Sequence, residues 1–377
     1  MKRYADKRRR TVYTGQQLPL PGVHVTRSSL LLCLLLLLPG ASHAALPENF
    51  ANLSDDVQAV ILEYVFFSEQ ANQVWGQDFE APSAHRMVKY LDDYHTRVNI
   101  DFARGHIRVE SERSKTPLAA LQHAIVATLL TPADPNAVDL FTAADMGLTG
   151  KPFLTGLVQD NEGQSIASQW RAERYAQYLL QHKVQRRGAR YWVDIPMVRS
   201  HRQRSAEQYR QLVQQASQRY GVQPALILAI METESSFNPF AVSPAGAFGL
   251  MQIMRATAGR DVFQRIYRRD GQPDRKFLMD PARNIDMGTA YLTILRDVYL
   301  REIRNPLTRE YCMIAAYNGG TGNLLKAFHS DRKKAVERIN KMSPAEVYRR
   351  IVRDHPKDES RNYLVKVTQY KQRYEHW

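Results

Sequence analysis

Pro224-Ala-Leu-Ile-Leu-Ala-Ile-Met-Glu-Thr-Glu234-Ser-Ser-Phe-Asn-Pro239 is the stretch that decides how the second half of this chain folds. Proline at the front suits a first helical turn, where its missing N–H has no partner to lose. Ala225 to Met231 is apolar nearly all round, which marks a helix buried inside its domain. Glu234 follows Ile230 by four residues and Ile227 by seven, so it shares a helix face with both. A carboxyl on that face is poorly solvated, which raises its pKa and favours the proton-carrying form that a general acid needs near neutral pH. Glu232 points to a different side. Asn238-Pro239 predicts the end of the helix, because a residue before proline disfavours α geometry.

Immediately downstream runs Ser243-Pro-Ala-Gly-Ala-Phe-Gly-Leu-Met-Gln252. Small residues let backbone approach a ligand closely. Met251 offers an apolar contact and Gln252 amide hydrogen bonds, a pairing that suits a sugar. Taken singly, these residues are ordinary: a lone Glu at a helix end is normally a solvated surface group, Met251 core and each glycine a turn. Their weight lies in the combination.

Working outward, helical periodicity covers Ala206 to Tyr220, stopped by Gly221, then Asp286 to Tyr299, and Glu310 to Tyr317, ended by Gly319-Gly320. Beyond about Ser200 no strand pattern remains, and residues 201–377 read as an all-α domain. Residues 45–200 read differently. Helical spacing runs from Leu46 to Trp75 and again from Pro117 to Leu130. Thr96–Phe102 and His106–Glu110 alternate around Ala103-Arg104-Gly105, a hairpin pattern, and Arg190–Pro196 adds a strand. The expected fold class is α+β overall, a mixed α+β module followed by an all-α one. His85, His95, His106, His123 and His182 are scattered without metal-ligand spacing, so neither metal nor cofactor is expected.

The 377 residues carry a formal net charge of +14. Seven Lys/Arg against Asp6 precede the first apolar run and account for +6 of it. The moderately basic remainder suits a polyanion, whether nucleic acid or a carboxylate-bearing cell wall. Ser28 to Pro39 holds eight Leu in twelve positions. That core is short of the roughly twenty residues of a membrane span. With its basic flank and the Ser42-His43-Ala44 end, residues 1–44 read as a secretory signal peptide. Cys33 lies inside the Leu run and reads as filler. Cys312 is alone in the mature chain, so no intramolecular disulfide forms there.

Ordered motifs then carry a resemblance. Glu234-Ser-x-Phe-Asn-Pro239, Ala241-x-Ser-Pro-x-Gly-Ala-x-Gly-Leu-Met-Gln-Ile253, Asp280-Pro-Ala-Arg-Asn-Ile285 with Gly288 and Ala290-Tyr-Leu292, Ala315-Ala-Tyr-Asn-Gly-Gly320 and Glu359-Ser-Arg-Asn-Tyr-Leu364 resemble the signature of the transglycosylase branch of the lysozyme superfamily. The upstream module, with Trp75-Gly76, the Arg97–Ile107 hairpin and Asp139-Leu-Phe141, resembles the domain paired with it in the membrane-bound lytic murein transglycosylase C group. The resemblance implies a lysozyme-like catalytic domain with Glu234 as acid/base. It implies that Ser235 holds the substrate's N-acetyl region or the Glu, that Met251 and Gln252 contact sugars, that Tyr317 and Asn318 flank the Glu, and that Tyr363 closes the site.

Typical glycosidases use two carboxylates. Asp274, Asp280 and Asp286 are available, but none matches a family catalytic position, and Asp280 before Pro281 reads as a helix-start residue. One-carboxyl chemistry fits a substrate that assists itself, and the resemblance implies cleavage of the MurNAc-GlcNAc β-1,4 bond of peptidoglycan with closure of a 1,6-anhydro ring, an internal transfer without water. A goose-type lysozyme-like hydrolase and a non-catalytic cell-wall binder are the competing readings. Nucleic acid is disfavoured, because the export signal removes that partner and Lys/Arg form no single basic helix. A periplasmic monomer acting on glycan strands is expected, with membrane association through the N-terminal segment. The group is typically lipoprotein-anchored, whereas Cys33 follows Leu32 and precedes five more Leu, which departs from a lipobox.

Overall fold

The computed structural model describes residues 50–52, 55–138, 150–243 and 245–377. The signal segment 1–44, the reading of Cys33 and the Asp139–Phe141 motif lie outside the described residues. The described residues fall within one compact unit.

The N-terminal module is built on helix α1 (Asp55–Trp75) and an antiparallel sheet. The strands are β1 (Arg86–Leu91), β2 (Thr96–Asp101), β3 (His106–Glu112), β4 (Gln185–Arg187) and β5 (Arg190–Pro196), in the order β1-β2-β3-β5-β4. The β2–β3 hairpin pairs Val98 with Val109 and Ile100 with Ile107, and β3 pairs Val109 with Val193 and Ile107 with Ile195. These residues are all buried, on the face covered by α2 (Pro117–Leu129), against which α3 (Gln169–His182) packs. The other face is charged: Arg97 donates through Nε to Oε2 of Glu110 at 3.0 Å, with the Trp75 ring 4.2 Å from its guanidinium carbon. Strand β1 had no alternating signature because both of its faces are covered. Met87, Val88, Lys89 and Tyr90 are buried in succession, with Tyr90 5.3 Å from the Phe67 ring of α1. Strand β4 is a three-residue edge, exposed at every position.

The C-terminal half is helical, as expected, with local departures. The helix expected from Ala206 to Tyr220 is two, α4 (His201–Gln208) and α5 (Arg210–Tyr220), and Gly221 in the left-handed region ends the second. Helix α6 (Pro224–Ser235) has an unbroken buried run from Ala225 to Glu232 and packs against α5 and α9 (Asp358–Arg373). It stops before Asn238-Pro239, because Ser236 and Phe237 both turn left-handed, at φ 52° and 63°. Helix α7 (Pro281–Ile294) begins five residues earlier than the periodicity suggested, since Asp280 caps it by accepting from the Arg283 N–H at 2.9 Å. Helix α8 (Pro306–Gly319) likewise starts at a proline behind an Asn305 cap. The half expected to be all-α also holds a small ribbon, β6 (Ala247–Phe248) with β7 (Ile253–Met254), which closes the glycine-rich loop on itself. No helix among the described residues is long and apolar enough to cross a membrane.

One apolar cluster runs from the sheet into the helices. Phe153 of the N-terminal module meets Phe240 edge-on at 5.0 Å, just past the end of α6.

Candidate active site

Glu234 is the penultimate residue of α6 and sits partly exposed at the end of that buried helix. The Tyr363 hydroxyl on α9 donates to its Oε1 at 2.7 Å. Desolvation lifts the Glu234 pKa from 4.5 to about 8, the nearby Glu359 carboxylate adds to the rise, and the Tyr363 bond opposes it. The carboxyl is therefore mostly protonated at pH 7, and becomes a comparatively strong base once it has given its proton away. Burial and the Glu234 charge push the phenols of Tyr317 and Tyr363 well above their usual range, so both remain donors.

Glu232 is not a rival. It is 3% exposed, accepts from Arg373 at 2.6 Å and from the Tyr374 hydroxyl at 2.8 Å, and lies 3.7 Å from Arg202. That carboxylate ties α6 to the end of α9 and the start of α4.

The loop after the helix owes its shape to Asn284 of α7. This fully buried side chain donates to the carbonyls of Phe248 and Leu278, both at 2.8 Å, and accepts the Met251 N–H at 2.8 Å. Gly249 has φ 73°, and a Cβ there would stand 2.4 Å from the Asn284 amide nitrogen, so a side chain is excluded twice over. Gln252, also left-handed at φ 48°, donates its amide to the Gly249 carbonyl at 3.0 Å. The Tyr317 hydroxyl of α8 donates to the Met251 carbonyl at 2.9 Å, with the Tyr291 ring 5.6 Å from its own.

Two of the residues that the resemblance implies, Ser235 to hold the N-acetyl region or the Glu and Met251 to contact sugar, have buried side chains. Ser235 is fully buried and donates to the Leu250 carbonyl at 2.8 Å and the Met231 carbonyl at 3.1 Å, so it stitches helix to loop. Met251 is fully buried over Gly288, where a Cβ would lie 2.4 Å from its sulfur, and only its backbone faces Tyr317. Tyr363 and Tyr317 gather with Glu234, whereas Gln252 is engaged with the Gly249 and Ala241 carbonyls of its own loop. Asn318 stands one step out, donating to Glu359 at 3.1 Å and accepting from Ser360 at 2.6 Å.

Glu359 and Asn284 were not singled out from sequence, although each had a signal. Glu359 precedes Tyr363 by four residues on one helix, so the two share a face. Asn284 sits four residues after an Asp-Pro cap, inside a helix where asparagine is disfavoured unless its side chain has work elsewhere. Among the described residues no group of three or more His, Cys, Asp and Glu is arranged to hold a metal.

Known proteins match this arrangement along most of the chain. Residues 54–208 match the family model described as membrane-bound lytic murein transglycosylase C, N-terminal domain, and residues 211–340 match the transglycosylase SLT domain. The membrane-bound lytic murein transglycosylase C of Histophilus somni (strain 2336) is 44% identical over 87% of this chain and 90% of its own. The protein of that name from Yersinia enterocolitica serotype O:8 is 45% identical over 82% of this chain and 87% of its own. Among solved structures, the 70 kDa soluble lytic transglycosylase of Escherichia coli matches 45% of this chain and 24% of its own, at 28% identity with a TM-score of 0.34. With both family models in sequence order and relatives 44–45% identical across most of its length, the chain belongs to the membrane-bound lytic murein transglycosylase C family.

Proposed function

We propose that Glu234 performs both proton transfers by which this peptidoglycan lytic transglycosylase cuts its substrate. Family membership makes the chain a transglycosylase acting on murein. The observation that carries the assignment is the Glu234 carboxyl itself, accepting from the Tyr363 phenol at 2.7 Å and kept mostly protonated at pH 7 by desolvation. In the first step neutral Glu234 protonates the glycosidic oxygen between N-acetylmuramic acid and N-acetylglucosamine. Tyr363, already hydrogen-bonded to Oε1, strengthens that bond as the carboxylate forms. In the second step the carboxylate, destabilised by its surroundings, takes the proton of the muramoyl C6 hydroxyl, which attacks C1 and closes the 1,6-anhydro ring. Proton count balances, and no water enters. Self-assistance by the substrate's N-acetyl group is a recognised way to dispense with a second catalytic carboxylate.

Gln252, Tyr317 and Tyr363 line the cleft in this reading, and Asn318 orients Glu359 beside it. Ser235, Met251 and Asn284 hold the loop. The chain works in the cell envelope on glycan strands, and the segment preceding residue 50 supplies export and membrane association. Digestion of purified sacculi followed by mass spectrometry tests the reaction: anhydromuramoyl ends support it, and ends heavier by one water would replace it with hydrolysis. Wild-type activity in Glu234→Gln would remove Glu234 from its role.

A further inference from the structure

The two left-handed residues that follow the catalytic helix are held from the other module. Left-handed geometry disfavours residues with a Cβ by roughly 1–2 kcal/mol each, and here neither is glycine: Ser236 has φ 52° and Phe237 φ 63°. Within the catalytic half, the Ser236 N–H reaches the Glu232 carbonyl at 3.0 Å, and Phe237 is buried edge-on to Tyr374 at 6.4 Å. Two further bonds cross to the segment just before β1. Nδ1 of His85 lies 3.0 Å from the Ser236 hydroxyl. The amide of Asn238, itself 1% exposed, donates to the Ala84 carbonyl at 3.0 Å, while its oxygen accepts the Phe240 N–H at 3.0 Å.

The segment that reaches across is rigidly mounted. Ser83 and Arg86 exchange backbone bonds at 2.9 and 3.2 Å, and the His85 carbonyl accepts from the Phe102 N–H at 3.1 Å, at the end of β2. His85 is thus fixed to the sheet on one side and to the turn beside Glu234 on the other. Lys366 of α9 and Asp101 of β2 are the charged groups that act on its ring. Burial depresses its pKa, so the ring is neutral at pH 7 and exchanges one hydrogen bond with Ser236.

We propose that His85 is a positioning residue of the active site: through Ser236 it holds the left-handed turn that aims the Glu234 carboxyl. The N-terminal module is then part of the catalytic apparatus, reaching it through the Ala84-His85 segment. The proposal rests on Glu234 being the acid, which the Glu234→Gln digest tests separately, so the two can fail independently.

The test uses the full chain and three substitutions of His85, with kcat and KM measured on sacculi and thermal unfolding followed in parallel. His85→Ala lowers kcat roughly 10- to 100-fold, the scale of a small misplacement of a reacting group, with KM little changed. His85→Phe fills the space without the bond and behaves like His85→Ala. His85→Asn, whose amide reaches the place of Nδ1, recovers most of the rate. Ser236→Ala removes the same bond from the other side, and the double variant His85→Ala/Ser236→Ala is no slower than either single one, as expected when both act through one contact. Wild-type kcat in His85→Phe would overturn the proposal, and so would additive losses in the double variant. If His85→Ala fails to fold, the contrast between His85→Asn and His85→Phe decides alone: equal rates in the two refute it.

Discussion

The Tyr363 hydroxyl meets Oε1 of Glu234 at 2.7 Å across 129 residues of chain, so the helix that carries the acid and the helix that orients it are set by tertiary packing alone. The bond favours the carboxylate, and burial favours the acid. Glu234 is balanced between them, which suits the proposed role of donating and then retrieving a proton.

Tyr363→Phe upsets that balance in a defined direction. Without the donor the Glu234 carboxylate is less stable, so the alkaline limb of the kcat profile moves to higher pH. The rate at pH 7 falls about 10- to 100-fold, the scale of a hydrogen bond to a charged group. Anhydromuropeptide release measured from pH 5 to pH 9 follows both effects.

Glu359→Gln acts in the opposite sense on the same limb. Its charge helps to raise the Glu234 pKa, so removing it lowers the pH at which Glu234 loses its proton. Activity above pH 7 declines earlier than in the wild type. A pH–rate profile with an unmoved alkaline limb would show that the two carboxyls do not couple.

Glu234→Gln abolishes cleavage and alters the stability profile. A carboxyl whose folded pKa is raised from 4.5 to about 8 contributes nothing unfavourable below 4.5, and destabilises the fold progressively as pH rises towards 8. The amide carries no such penalty. Relative to the wild type, the Tm of Glu234→Gln rises between pH 4 and pH 8, by roughly 2–4 °C for each kcal/mol relieved. Differential scanning calorimetry at the two pH values measures it.

Asn284→Leu keeps the branched shape and heavy-atom count of the side chain and removes three hydrogen bonds from the glycine-rich loop. Each buried group left without a partner costs about 1–3 kcal/mol. The expected result is a marked fall in Tm together with loss of activity, read by thermal unfolding and sacculus digestion. An active variant of unchanged Tm would mean that the loop is held by Gly249 and Ser235 without it.

What the sequence disclosed follows from which forces are local. The apolar run from Ala225 to Met231 and the spacing of Ile227, Ile230 and Glu234 express the helix and the desolvated face directly. The β2–β3 hairpin was visible for the same reason, since one of its faces is apolar and the other carries Arg97, Asn99, Arg108 and Glu110. Strand β1 was hidden because burial on both faces erases alternation. A motif records that Ser235 and Met251 matter, and not that their side chains are buried. Their burial depends on Leu250 and Gly288, which no spacing reveals. The left-handed turn at Ser236 and Phe237 was equally illegible, because its partners Ala84 and His85 lie about 150 residues upstream.

The ring contact between Phe153 and Phe240 lies within an apolar cluster that never breaks between sheet and helices. Such a cluster makes loosening contagious. Hydration of the sheet's apolar face removes support from the residues just past Glu234, and solvent entering beside Phe240 reaches the sheet. The expected consequence is that the two parts melt together, with sheet and helix signals lost at one temperature; separate transitions followed by different probes would show that the modules uncouple.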